Sequence, residues 1–335
     1  MSSRRLKVFA VLPSASQLES WGAWLALAFQ NMGHEVRGFD YRQIALEAGI
    51  GTMNRRLSKQ LNDYSPDITV IIKGELINPD ALKPNDRFNT FLLANDDHQV
   101  WQTVSAQLGV ACSKVFTFTK GSMPWYDKAG IDCEFMRFYA DSKILTAAPS
   151  QIYNLYDVSF VGTYYPERES LVHELMKSAA RGDLSFRLIG DGWDKHILAP
   201  ALAAPEAKFS YGGRADYEEV LRTWHASKIC LNIHQDGLKK LGVQANLRCY
   251  ELGAAGCFMA SDHVEGMEEA FGTPLPFKTL PDDWTDRKKT DALIEWAEKD
   301  WTDWRQKRAT SLKALVLEKH TPQRRAEQIL ESAKL

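Results

Sequence analysis

The sequence predicts an α/β protein made of two parallel-sheet domains. Three observations carry this. The chain has 335 residues, more than one average core supports. Short β-rich apolar runs alternate with helical segments through both halves. The alternation stops once, near residues 141–156, in the polar stretch DSKILTAAPSQIYNLY, and then restarts, as a linker between domains would require. The expected divisions are 1–145, 146–312, and a C-terminal helix in 313–335 that packs back on the first domain.

In the first half, LKVFAVL (Leu6 to Leu12) reads as a buried strand, QLESWGAWLALAFQNMG as a helix closed by Gly33, and EVRGFDY as the next strand. NRRLSKQLNDY follows as an amphipathic helix, DITVIIKG and NTFLLAND as strands, HQVWQTVSAQLG as a helix and KVFTFTKG as a strand. Strands alternating with helices imply a parallel sheet covered on both faces. The second half repeats the pattern: DVSFVG, LSFRLIG, AKFSYGG, KICLNIH and CFMASD as strands, with ERESLVHELMKSAARG, DYEEVLRTWHASK and ANLRCYELGAAG as helices. QDGLKKLGVQA reads as a loop. The last fifth is helical and rich in tryptophan, with Trp284, Trp296, Trp301 and Trp304.

Composition narrows the class. At 44% hydrophobic, 25% charged and a net charge of -2, the chain has no general polyanion-binding character. Its five cysteines, Cys112, Cys133, Cys230, Cys249 and Cys257, show no CxxC or Cys/His metal spacing and several sit in apolar runs, which points to free thiols and a cytoplasmic location. The apolar run in MSSRRLKVFAVLPSAS spans only about six residues before Pro13, shorter than a signal-peptide core. No stretch approaches the roughly 20 apolar residues of a membrane span.

Ligands of open parallel sheets bind beyond the carboxyl ends of strands, where strand order reverses. Candidate residues therefore stand at and just after the strand ends. DVSFVG runs into Gly162, Thr163 and then Pro166 and Arg168 at a helix start, where free amides attract an anion. An ordinary turn with a solvated arginine is the alternative. Gly190 closes LSFRLIG, and Gly212-Gly213 close AKFSYGG just before Arg214. No GxGxxG follows the first strand and no GxxxxGK[ST] occurs, which disfavours dehydrogenases and P-loop enzymes. In NLRCYELGAAGCFMASD, Asn246 and Arg248 fall at a helix start, where the dipole and a guanidinium suit a diphosphate. Glu251, three residues on, shares the face of Arg248 and suits a ribose hydroxyl; a simple intrahelical ion pair is the alternative. In the first half, Asp96-Asp97-His98 ends a strand and begins a helix, where a general base is useful, although a helix cap explains either aspartate alone. Lys73 and Glu75 share that rim, and His234 ends KICLNIH. No carboxylate or histidine grouping argues for a metal.

With these segments placed, the chain resembles the CgeB-like, spore-maturation-type glycosyltransferases of two-domain GT-B architecture. The likeness runs through IIKGELINPDAL, LLANDDH, DVSFVGTYYPERESLVHEL, FRLIGDGW, KICLNIH, NLRCYELGAAGCFMASDHVEGMEEAF and KHTPQRRAEQIL. It implies two Rossmann-like domains facing a cleft, the second binding a nucleotide-diphosphate sugar, with a UDP-sugar as the expected donor, and the first binding the acceptor. On matching positions, Asn246, Arg248 and Glu251 contact the diphosphate and ribose, and Gly162, Arg214 and Asn232 line that pocket. No further cofactor is required. Related retaining enzymes carry a second glutamate before the one matched by Glu251; here Val243 stands eight positions earlier, so the anomeric outcome stays open. His98 stands where the family often has proline. The acceptor is open among a glycan, a protein, a metabolite and a modified DNA base, the last pointed to only by the basic helix Met53 to Lys59. A non-catalytic sugar-nucleotide-binding protein and a nucleotide-sugar epimerase are the rival classes.

Overall fold

Four of the five residues of Ile68–Ile72 are isoleucine or valine, and all five are buried. β-Branched residues fit a pleated surface packed on both faces, and this segment is an inner strand of a six-stranded parallel sheet. The structure is a computed structural model that describes residues 4–13, 21–85, 89–140, 144, 154–241, 245–298 and 302–333. It divides into two units: Met1–Ser142 with Leu241–Gln244 and His320–Leu335, and Lys143–Lys240 with Ala245–Lys319.

The first unit runs β1 (Lys7–Leu12), α1 (Trp21–Asn31), β2 (Glu35–Asp40), α2 (Tyr41–Ala48), α3 (Ile50–Tyr64), β3 (Ile68–Ile72), β4 (Thr90–Ala94), α4 (Asp97–Val100), α5 (Ala106–Gly109), β5 (Lys114–Thr117), α6 (Met123–Ala129) and β6 (Cys133–Phe135). Its strands lie in the order β2-β1-β3-β4-β5-β6, all parallel, with Val8 opposite Ile68. Alternate residues of β1 serve opposite faces. Val8 and Ala10 meet Trp24, Leu25 and Phe29 of α1, whereas Phe9 and Val11 meet Met53, Leu57 and Leu61 of α3. Each large side chain so buried contributes about 1.5–3 kcal/mol.

The second unit runs β7 (Tyr156–Val161), α7 (Pro166–Ala180), β8 (Phe186–Ile189), α8 (Ala199–Ala203), β9 (Phe209–Tyr211), α9 (Tyr217–His225), β10 (Ser227–Asn232), α10 (Asp236–Lys240), α11 (Leu247–Ala255), β11 (Met259–Asp262), α12 (Met267–Phe271), β12 (Lys278–Leu280), α13 (Asp286–Glu298) and α14 (Thr302–Lys319). Its order, β12-β11-β10-β7-β8-β9, is again all parallel and reverses between β7 and β10. The final helix, α15 (Pro322–Ser332), belongs to the first unit. Thr321 caps it with Pro322 at its first position, and Arg325 donates to the carbonyls of Arg137 and Phe138, while Ala326 and Ile329 enter the core beneath α1.

Several segments differ from the sequence expectation. HQVWQTVSAQLG is not one α-helix: a π-helical turn, Trp101–Ser105, separates α4 from α5. QDGLKKLGVQA, expected as loop, contains α10, whose Asp236 in the first turn and Lys239 and Lys240 in the last complement the helix dipole. The three-residue edge strands β6 and β12 are too short for a period to be seen. Helix α2 did carry a signal, since Asp40 accepts from the amide of Gln43 as a cap. Most of the 141–156 stretch, the beginning of QLESWGAWLALAFQNMG, Trp301 and Val243 lie outside the described residues.

Candidate functional site

In the second unit the carboxyl ends of β7 and β10 are adjacent, with Leu231 opposite Phe160, at the reversal of strand order. Gly162 and Thr163 follow one strand; Asn232 and His234 close the other. Gly190 explains itself at once. A Cβ there would lie 1.9 Å from the Gly162 carbonyl oxygen, so only glycine lets the two strand ends abut. Gly190 therefore shapes the turn beside Gly162.

Arg168 is not the solvated arginine of an ordinary turn. It is buried, its guanidinium donating to the carbonyls of Thr163 (2.8 Å) and Ile233 (2.9 Å) and lying over the rings of Phe160 and Tyr165. Burial lowers its pKa. It ties together the loops after β7 and β10.

Asn246 is the N-cap of α11, accepting from the Cys249 amide, and its Nδ2 donates to Asn232 Oδ1 (3.1 Å); Asn232 in turn donates to Ser261 Oγ (3.0 Å). His234 Nε2 accepts the Asn246 backbone N–H at 3.1 Å, which assigns the ring proton to Nδ1, and Nδ1 donates to Asp262 Oδ1 at 2.7 Å. The His234 backbone N–H also reaches Asp262. Both imidazole nitrogens are thus consumed internally. Burial opposes ionisation of Asp262, but its bonds to His234 and to Lys239 (2.7 Å) outweigh it and hold the carboxyl at a pKa of about 2. Asp262 and Lys239 were missed from sequence, because nothing in a strand end or a five-residue helix marks them as partners. Asn232, His234 and Asn246 consequently form the frame that sets the start of α11.

On α11, Arg248 and Glu251 form a 2.8 Å ion pair across one turn, with Glu251 buried and Arg248 partly exposed over the Trp224 ring (4.7 Å). The intrahelical pair is therefore present, and it leaves the guanidinium at the helix start. Arg214 has an 85% exposed side chain 4.0 Å from Asp191, whose carbonyl accepts from the Tyr164 amide in the loop after β7.

The first unit gathers a second set. Lys73, Glu75, Asn95 and Asp96 line a pocket of about 170 Å³ together with Arg42. Lys73 has φ +65 and its Nζ lies 3.1 Å from Asp96 Oδ2. Burial opposes ionisation of Glu75, yet the Tyr41 hydroxyl and Arg42 hold its carboxyl below the usual range; burial and Glu75 push the Tyr41 phenol up. Tyr41 and Arg42 were missed, although the Asp40 cap could have placed them at a helix start beside the strand ends. Asp96 occupies the cap position of α4 but makes no side-chain cap bond, which leaves its carboxylate at the pocket. Asp97 is different. It is fully buried, its oxygens taken by Thr117 Oγ1 (2.6 Å), Ser122 Oγ (2.8 Å) and the Tyr126 hydroxyl (2.9 Å). With those lone pairs occupied it is corrected from base to structural anchor. His98 lies in α4 and its side chain is outside the described residues.

Residues 168–331 match a family described as glycosyl transferase-like. The chain is a glycosyltransferase-like protein of GT-B fold. That match favours the transferase expectation over a binding protein or an epimerase. The fold is similar to a glycosyltransferase from Rickettsia africae (TM-score 0.62, 12% identity, 98% of this chain and 97% of that one). It is also similar to Anabaena Alr3699/HepE, solved in complex with UDP and glucose (0.63, 13%, 98% and 99%), and to sucrose-phosphate synthase from Thermosynechococcus elongatus (0.60, 10%, 98% and 98%). No curated protein sequence matches the chain. Among the described residues no group of three His, Cys, Asp or Glu side chains is arranged to hold a metal ion, and no helix is long and apolar enough to cross a membrane.

Proposed function

We propose that this glycosyltransferase-like chain is a cytoplasmic, CgeB-like enzyme that moves a sugar from a UDP-sugar to a hydroxyl acceptor. The single observation that carries the donor assignment is the meeting of the Gly162-Thr163 turn, the Arg168 tie, the His234-Asn246 frame and the Arg248-Glu251 pair at the β7/β10 reversal. A diphosphate is the group such a place suits. Amides at the start of α11 offer donors and the helix dipole a partial positive charge, and Arg248 adds a full one. Glu251, paired with Arg248 on the same helix face, is the group that meets a ribose hydroxyl. As the sugar–phosphate bond breaks, negative charge grows on the diphosphate, and Arg248 and the helix start stabilise it.

In the first unit, Asp96 takes the proton of the acceptor hydroxyl. Lys73 orients it through a 3.1 Å bond, and Glu75, fixed by Tyr41 and Arg42, supplies a hydrogen-bond acceptor for a second hydroxyl. The five free cysteines support a reducing compartment.

A thermal-shift panel of UDP, GDP, ADP, TDP and CMP with their common sugars, run on wild type and Arg248→Ala, tests the donor assignment. Selective stabilisation by uridine species that disappears in the variant is expected. Failure of every nucleotide to shift the protein would overturn the reading.

A further inference from the structure

The π-helical turn Trp101–Ser105 is an uncommon insertion of a kind that recurs at functional sites. Trp101 opens it and packs edge-on against buried Tyr126 (centroids 4.6 Å apart, 81°), whose hydroxyl is anchored on Asp97. On its other neighbour, Trp125, it lies tilted at 5.7 Å and 54°. The two indoles are only partly buried, and with Gln99, Gln102 and Thr103 they wall an open cavity of about 470 Å³. That volume is in the range of small-molecule sites, and an apolar wall with a few polar groups is their usual composition.

The lining states what kind of molecule fits. It contains no lysine or arginine, and its one carboxylate, Asp97, is turned inward to Thr117, Ser122 and Tyr126. What remains is two aromatic plates, two side-chain amides and a hydroxyl. An uncharged ligand with a flat C–H face for an indole and hydroxyls at its edge matches this: a pyranose ring. A nucleic-acid strand can also stack on aromatic rings, but its phosphates require cations beside them. We propose that Trp101 and Trp125 form a saccharide subsite for the acceptor; the word acceptor rests on the transferase reading above, while the saccharide does not. The subsite lies in the segment that Asp96 begins, but the pocket Asp96 lines is walled by Val100, Val104 and Ser105 and shares no lining residue with it, so the subsite holds a part of the acceptor away from the reacting hydroxyl.

The test is titration of the full chain with maltose, cellobiose, lactose and N,N′-diacetylchitobiose, followed by tryptophan fluorescence, with a hydroxymethylated single-stranded oligonucleotide as a separate arm. Saturable quenching by at least one saccharide is expected, weakened at least about tenfold by Trp125→Ala and by the exposed double change Gln99→Ala with Gln102→Ala, which does not threaten folding. Absence of saccharide quenching, quenching unaltered in both variants, or binding of the oligonucleotide in place of the sugars overturns the proposal. UDP binding measured on the same samples separates the two readings. Saccharide binding without UDP binding sinks the transferase and leaves the subsite; the converse leaves the donor site and removes the subsite.

Discussion

Asp262 Oδ1 lies 2.7 Å from His234 Nδ1, and through that imidazole the carboxylate at the end of β11 holds the backbone of Asn246 at the start of α11. Helix α11 is therefore positioned by a buried charge, and this bears directly on stability.

Asp262→Ala is expected to cost about 3–5 kcal/mol, because Lys239 and His234 lose a buried partner. A pH dependence accompanies it. The folded-state pKa is depressed from 3.8 to about 2, so the contribution is fully present above pH 3.8 and is lost as pH falls toward 2. Denaturant unfolding of wild type between pH 5 and 2 should show a loss of roughly 2 kcal/mol that the variant lacks. Equal pH slopes for the two proteins would contradict this linkage.

Arg248→Ala is expected to weaken UDP binding and lower turnover, each by at least about tenfold. Glu251 is buried and loses its partner, so some stability is lost as well. Isothermal titration on the folded variant separates the effects, and wild-type affinity in a folded Arg248→Ala protein would sink the assignment.

Adjacent aspartates should fail in different ways. Asp96→Asn is expected to reduce kcat by roughly 10²- to 10⁴-fold with UDP affinity and melting temperature unchanged. Asp97→Asn removes an acceptor from three hydroxyls and should instead lower the melting temperature by several degrees. A stable, inactive Asp97→Asn beside an active Asp96→Asn would reverse the roles.

Gly190→Ala and Gly33→Ala form a matched pair. Both glycines have positive φ, but a Cβ at Gly33 meets nothing within 4 Å, whereas at Gly190 it meets backbone at 1.9 Å. The first change is expected to cost about 1 kcal/mol and the second clearly more, through separation of the β7 and β8 strand ends. Equal losses in calorimetry would show that conformation, not crowding, dominates.

Much of the architecture was legible because it is local. A β-branched run such as Ile68–Ile72 and the spacing of Met53, Leu57 and Leu61 report the face that each element buries, and from these the two parallel sheets follow. Strand ends are local too, so Lys73, Glu75, Asp96, Gly162 and His234 could be picked out before any contact was known. Partners are not local. Whether Asp96 or Asp97 faces the pocket depends on hydroxyls that β5 and α6 bring from 20 to 29 residues away. The state of His234 depends on Asp262, 28 residues on, and Glu75 is fixed by Tyr41 and Arg42, more than 30 residues earlier. The sequence by itself determined which residues stand at the ends of the strands. Only the tertiary structure decided which of them keep a free lone pair or charge, because chain closure brings the hydrogen-bond partners that consume the others.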